Sequence, residues 1–89
     1  MKTLKYSVGD PLGIHARPAA QIAQCCVNFK SAVRISCNGL TADGSNVLEI
    51  LKLKAGQGDE LVIEIEGADE DDAAKTIEAV LPGDIERKA

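Results

Sequence analysis

Gly13-Ile14-His15-Ala16-Arg17-Pro18-Ala19-Ala20 decides how the first half of the chain folds, because it puts the single histidine where an alanine-rich, helical pattern begins. Proline is tolerated in the first turn of a helix, where backbone N–H groups have no intrahelical acceptor, and is costly further in. His15 therefore reads as the N-cap or last loop residue, with Ala16, Arg17 and Pro18 as the first turn. The amides of Ala16 and Arg17 are then unpaired donors at the positive end of the helix dipole, and the Arg17 guanidinium lies one or two residues from the imidazole. A neutral imidazole nitrogen is a nucleophile, and nearby positive charge disfavours the imidazolium and holds phosphoryl oxygens, so transient phosphorylation suits this site. Taken alone, the same residues also fit a solvent-exposed histidine in a capping position.

On either side the periodicities are short and clear. Leu4, Tyr6 and Val8 alternate with Lys5 and Ser7 as a strand with one covered face, and Gly9 to Gly13 break it. Ala19, Ile22, Ala23 and Cys26 recur at helical spacing, so the first helix runs from about Ala16 to Val27. Val33, Ile35 and Cys37 form a second strand, Asn38-Gly39 is a hairpin signal, and Leu40 to Asp43 returns as a short edge strand. Leu61, Ile63 and Ile65 mark a fourth strand. A last helix starts near Asp69, with Asp69 to Asp72 favouring its positive end and Ala73, Ile77, Val80 and Leu81 as its buried stripe. Pro82-Gly83 should end it and leave residues 84–89 frayed. The order is β-α-β-β-α-β-α in one domain spanning 1–89, an α+β arrangement with helices on one face of an antiparallel sheet.

The second helix carries more apolar surface than a core face can use. At 100° per residue, Val47, Leu48, Ile50, Leu51 and Leu53 spread over roughly 220°, against about 100–140° for a helix lying on a sheet. If Ile50 and Leu53 face the core, Leu48 and Leu51 point outward, with Val47 at the boundary. A helix sunk deeper into the core is the alternative. Its start is best capped by Asn46, since Glu49 stands three residues on, as a capping box requires, whereas Ser45 has Leu48 there.

Composition sets the outer limits. Eighty-nine residues make one core and no deep cleft. Tyr6 and Phe29 are the only aromatics, so the core is aliphatic and alanine-rich. A net charge of −4 argues against nucleic acid as a partner. No apolar run approaches a membrane span, no secretory leader precedes the first strand, and the chain reads as cytoplasmic. Cys25, Cys26 and Cys37 have no metal-ligand spacing and read as small apolar residues; no metal or cofactor is expected.

The octapeptide from Gly13 to Ala20 resembles the active-site signature of the HPr family, the histidine-containing phosphocarriers of the bacterial phosphoenolpyruvate:sugar phosphotransferase system. Asn38-Gly39, the apolar segment from Val47 to Leu53, Gly58, and Glu66-Gly67-Ala68-Asp69-Glu70 also look like the family. The resemblance implies an open-faced β-sandwich, four antiparallel strands in the order 1-4-2-3 covered on one face by three helices. It implies a protein that is not an enzyme: His15 takes a phosphoryl group on Nδ1 from Enzyme I and passes it to Enzyme IIA, with Arg17 assisting and the Ala16 and Arg17 amides holding phosphate. Ala20, Val47, Leu48 and Leu51 would form the docking face of a monomer. Four positions depart from the family pattern. Lys54 stands where glycine is common, so a positive φ there would force the helix end to rearrange, with Gly56 taking over. Gln24 and Val27 stand where lysine can occur, and Asn46 replaces a regulatory serine, leaving Ser45 just outside the helix. A nitrogen-type or catabolite-control paralogue, a noncovalent phosphate-metabolite-binding module and a small acyl-phosphate hydrolase are the competing functions.

Overall fold

Alternating residues at the two ends of the sequence build the middle of the sheet. The computed structural model describes residues 1–8, 16–81 and 85–88, of which 16–18 and 85–88 are described as backbone only. Strand β1 (Lys2–Ser7) lies between two antiparallel neighbours, β4 (Glu60–Glu66) and β5 (Ile85–Lys88). Leu4 stands opposite Ile63 and Tyr6 opposite Leu61, all four fully buried. On the far side of β4, β2 (Ala32–Cys37) pairs Ile35 with Ile63, and β3 (Leu40–Asp43) closes the edge beside β2. The full order is β3-β2-β4-β1-β5.

The expected 1-4-2-3 arrangement is thus present in the first four strands, with a fifth added. Residues 84–89 were expected to fray; Ile85–Lys88 instead pairs with β1. The physical reason is that β1 would otherwise present a row of unpaired N–H and C=O groups at an open edge, and a four-residue segment suffices to cover it.

Helices α1 (Ala16–Val27), α2 (Val47–Lys52) and α3 (Glu70–Val80) cover the face on which Leu4, Tyr6, Ile35, Ile63 and Ile65 are buried. The other face carries the half-buried or exposed Lys5, Arg34, Ser36 and Glu64. With one aromatic in the core, close approach replaces bulk. Ala19 and Ala23 on α1 and Ala73 and Ala74 on α3 are buried, and the two helices pack on each other. Ile77 and Leu81 complete the α3 stripe; Val80 is half-buried, and Ala74 takes part where the spacing argument had omitted it. Leu81, extended at φ −90° and ψ 123°, ends the helix as a residue before proline should.

Turn chemistry follows the sequence closely. Asn38 and Gly39 both have positive φ, 52° and 81°, which a two-residue type I′ hairpin demands. The acidic run at 69–72 is more than a solvated helix start. Asp69 precedes α3 without a capping side-chain bond; its carboxylate instead accepts the Lys30 N–H (2.8 Å), the Ser31 N–H (2.9 Å) and the Ser31 hydroxyl. Those bonds tie the α1–β2 connection to the start of α3. A Cβ on Gly67 would come within 2.6 Å of Ser31, so glycine is needed there for the approach. Beside it Glu70 pairs with the Met1 ammonium (2.9 Å) and Lys2 with Asp71 (3.0 Å).

The end of α2 corrects another expectation. Lys54 itself takes the left-handed conformation, φ 52°, and Gly56 does not substitute for it. A non-glycine residue in this region costs roughly 1–2 kcal/mol, part of which glycine would return as unfolded-chain entropy. Lys54→Gly should therefore stabilise the fold by about 0.5–1 kcal/mol, raising Tm by about 2–6 °C in a thermal melt.

Candidate functional site

The segment that carries the predicted chemistry, Gly9 to His15, lies outside the described residues, as do the side chains of Ala16, Arg17 and Pro18. The structure does describe the backbone on both sides of it. Downstream, α1 opens at Ala16, the residue after His15, as the proline placement predicts.

Upstream, Val8 is fully buried and doubly held. Its N–H donates to the Asp59 carbonyl (2.9 Å), and its own carbonyl accepts the Gly58 N–H (2.8 Å). The 56–59 turn that grips it is fixed by the Asp59 side chain, whose Oδ2 accepts the Gly56 N–H (2.8 Å) and an Asn38 Nδ2 proton (3.1 Å). One carboxylate thus links the β2–β3 hairpin, the approach to β4 and the end of β1. Sequence reasoning missed Asp59. The Gly-Gln-Gly-Asp string at 56–59 signals a turn, but nothing in it points to Asn38 or Val8.

The surplus apolar surface of α2 divides as the helical-wheel argument required for Leu48 but not for Leu51, which was expected to point outward and instead packs against the core. Ile50 and Leu53 are buried, Val47 and Leu51 are half-buried, and Leu48 is 69% exposed. α1 packs beside α2 with Ala20, Gln24 and Val27 exposed. Leu48 and the exposed Leu40 flank a hollow between α2 and the edge of β3.

Asn46 is the N-cap of α2, its side chain accepting the Glu49 N–H at 3.2 Å. The reciprocal half of the capping box is diverted, because Glu49 Oε1 accepts the N–H of Asp43 on β3 (3.3 Å). Ser45 lies outside the helix, and both its N–H (2.9 Å) and its hydroxyl (2.7 Å) donate to Asp43 Oδ1.

No other described region offers competing chemistry. The three thiols are free, with Cys26 and Cys37 buried and Cys25 half-buried; burial, then the neighbouring Cys25 and Asp43, pushes the Cys26 pKa up to about 12, so it stays protonated. Among the described residues no cluster of side chains is fit to hold a metal ion, and no helix is long and apolar enough to cross a membrane. A groove of about 720 Å³ lies by the C-terminal end of α1, bordered by Cys26, Val27 and Phe29, away from Ala16.

A sheet order of 1-4-2-3 under three helices, with the sole histidine directly before the first helix, defines the class of small histidine phosphocarriers. Residues 2–82 match the family described as the PTS HPr component phosphorylation site. The phosphocarrier protein HPr of Lysinibacillus sphaericus is 37% identical over 81 residues, 91% of this chain and 92% of that protein. The one from Mycoplasma pneumoniae is 39% identical over 82 residues, covering 91% and 93%. The solved histidine-containing phosphocarrier protein of Mycoplasma superposes with a TM-score of 0.85 at 26% identity, covering 88% of this chain and 89% of that one. An HPr dimer from Thermoanaerobacter tengcongensis gives a TM-score of 0.69 at 27% identity, covering 84% and 86%. The chain belongs to the HPr family: it is a phosphocarrier of the phosphotransferase system, not an enzyme.

The Asp59 turn makes a pH-dependent prediction. Its bonds from the Gly56 N–H and then the Asn38 amide hold the Asp59 carboxyl below the ordinary carboxylate range, as the Ser31 hydroxyl and Lys30 N–H do for Asp69. Folded-state values below the unfolded ~3.9 mean that the stability from these bonds is complete above about pH 4 and is lost as pH falls through the depressed values. Amide exchange of Val8 and Gly56 should accelerate over that acid range. Asp59→Ala should show the same acceleration at pH 7; unchanged protection there would mean that the turn stands without its carboxylate.

Proposed function

We propose that His15 carries the phosphoryl group, taking it from phosphorylated Enzyme I and passing it to Enzyme IIA. The observation that carries this reading is the opening of α1 at Ala16, immediately after the only histidine of a chain that matches the phosphocarrier family from residue 2 to 82. In the first transfer the bond from phosphorus to the donor breaks as the bond to Nδ1 forms, and in the second the bond from phosphorus to Nδ1 breaks as the bond to the acceptor forms, while the ring proton stays on Nε2. The Ala16 and Arg17 amides and the Arg17 guanidinium stabilise the phosphoryl oxygens, and Pro18 sets the first turn without consuming a needed donor. Neither a metal nor a cofactor enters this chemistry.

Ala20, Val47, Leu48 and Leu51 make the docking face of a cytoplasmic monomer. Its β3 edge is closed to strand pairing at Asp43, whose N–H and carbonyl are taken by Glu49 and Asn46. Ser45 has no regulatory role in this reading. A phosphate there would meet the Asp43 carboxylate, and the cap position it would need belongs to Asn46. The Asp43–Ser45 bonds favour that reading over a catabolite-control paralogue switched by a serine kinase.

With phosphoenolpyruvate and Enzyme I, the wild-type chain should gain one acid-labile, base-stable phosphoryl group and His15→Ala none. A noncovalent phosphate-binding module or a hydrolase would retain no such group. Arg17→Ala should slow the transfer by up to ~10²-fold with little change in Tm. Unchanged kinetics would remove Arg17 from the site.

Leu48→Asp should leave Tm within about 1–2 °C, since Leu48 is 69% exposed, and weaken the Enzyme I complex by about 1–3 kcal/mol in a titration. A large loss of stability would instead return Leu48 to the core.

A further inference from the structure

We infer that a β-bulge formed by Gly58 and Asp59 opposite Val8 aims the His15 segment, and that Asp59, anchored by Asn38, is thereby a positioning residue for phosphoryl transfer. The inference rests on the carrier role of His15. Its starting point is the way the β1–β4 ladder ends. Ser7 stands opposite Glu60 in regular antiparallel register, but the next residue, Val8, meets two residues of the other chain segment. Its N–H donates to the Asp59 carbonyl and its carbonyl accepts the Gly58 N–H. Two residues against one, the first a glycine at φ 91°, make a bulge of the glycine type, which bends a strand and ends its pairing. Gly58 is also the third residue of the 56–59 turn, closed by the Asp59 N–H on the Gly56 carbonyl (3.0 Å), and a positive φ at that place asks for glycine.

The bulge stands where direction matters. Val8 is the last described residue before His15, and Ala16, where α1 opens, is the first after it. The α1 side of the segment is fixed by packing, through the buried Ala19, Ile22 and Ala23. On the other side the turn opposite Val8 is fixed by hydrogen bonds. A Cβ on Gly58 would meet nothing within 4 Å, so no packing backs the turn there. The half-buried Asp59 supplies the hold instead, its Oδ2 accepting both the Gly56 N–H and an Asn38 Nδ2 proton from the β2–β3 hairpin. Transfer to a ring nitrogen requires that nitrogen to meet phosphorus in line, and a misplacement of about 1 Å can cost ~10²-fold in rate. The docking face proposed on α2 takes no part in these bonds, so a loosened bulge should slow the step inside the complex and leave formation of the complex alone.

The test is rapid-quench transfer from phosphorylated Enzyme I, with this chain varied to saturation well below its Tm. Asp59→Ala should lower the maximal transfer rate about 3- to 10-fold and leave the half-saturating concentration within about 2-fold. A residue that only supported the fold would lower Tm and move neither quantity. Gly58→Ala, which meets no neighbour but strains the positive φ, should slow transfer in the same way, and the double variant should be no slower than the slower single, because both act through one bulge. Asn38→Asp keeps a hairpin-forming Asp-Gly pair but faces Asp59 with a like charge, so it too should slow transfer. Adding Asp59→Asn to it returns a donor and an acceptor to the link and should bring most of the rate back. An unchanged maximal rate in Asp59→Ala would overturn the inference, as would a raised half-saturating concentration at constant maximal rate, which would place the effect in docking. An exchanged pair as slow as Asn38→Asp alone would overturn it as well, and this arm decides if Asp59→Ala does not fold. Transfer to His15 in the wild type with no effect of these variants would sink this inference alone, whereas a wild type that accepts nothing would sink the carrier reading with it.

Discussion

Burial of one sheet face without aromatic bulk is the constraint on which the rest of this structure depends. Leu4, Tyr6, Ile35, Ile63 and Ile65 need cover, and an 89-residue chain has three short helices to supply it. Those helices come close enough only because Ala19, Ala23, Ala73 and Ala74 face inward, so that backbone nears backbone where a larger domain would use Phe or Trp. An alanine-lined contact leaves little slack, and the connections are held correspondingly firmly. Asp69 fixes the end of the α1–β2 link, and Gly67 permits the approach of Ser31 that this requires.

The same economy positions the functional end. In the proposed role, a histidine used by two partners in turn benefits from a segment whose ends do not wander. Here one end is the first turn of α1 and the other is Val8, buried and held by two backbone bonds from a turn that Asp59 organises. In that reading, the side chains offered to partners are what the core leaves over. α2 buries Ile50 and Leu53 and leaves Leu48 outside.

Local signals made most of this legible in the sequence. Period-two alternation located β1, β2 and β4, the proline in the first turn set the start of α1, and Asn38-Gly39 set the hairpin. The division of α2 into a buried and an exposed side followed from helical geometry except at Leu51, and Asn46 as its cap followed from the position of Glu49. Long-range choices were hidden. Asp69 bonds to Lys30 across 39 residues, and Asp59 to Asn38 across 21, and no local pattern encodes either. The strand at 85–88 escaped notice because Pro82-Gly83 marks a break and Glu86-Arg87-Lys88 looks like a solvated tail; its pairing exists only because β1 offers an edge. At Lys54 the expectation that a lysine would refuse positive φ overweighted a cost of ~1–2 kcal/mol that the surrounding fold readily overrides.

Phosphoryl transfer through one ring nitrogen is the central claim, and long-range proton–nitrogen NMR of the single imidazole tests it most directly. After phosphoenolpyruvate and Enzyme I are added, the carrier role predicts a phosphorus-coupled Nδ1 with the proton on Nε2, and a return to the starting spectrum when an Enzyme IIA is supplied. An imidazole spectrum that stays unchanged while the chain incorporates phosphate elsewhere would contradict it.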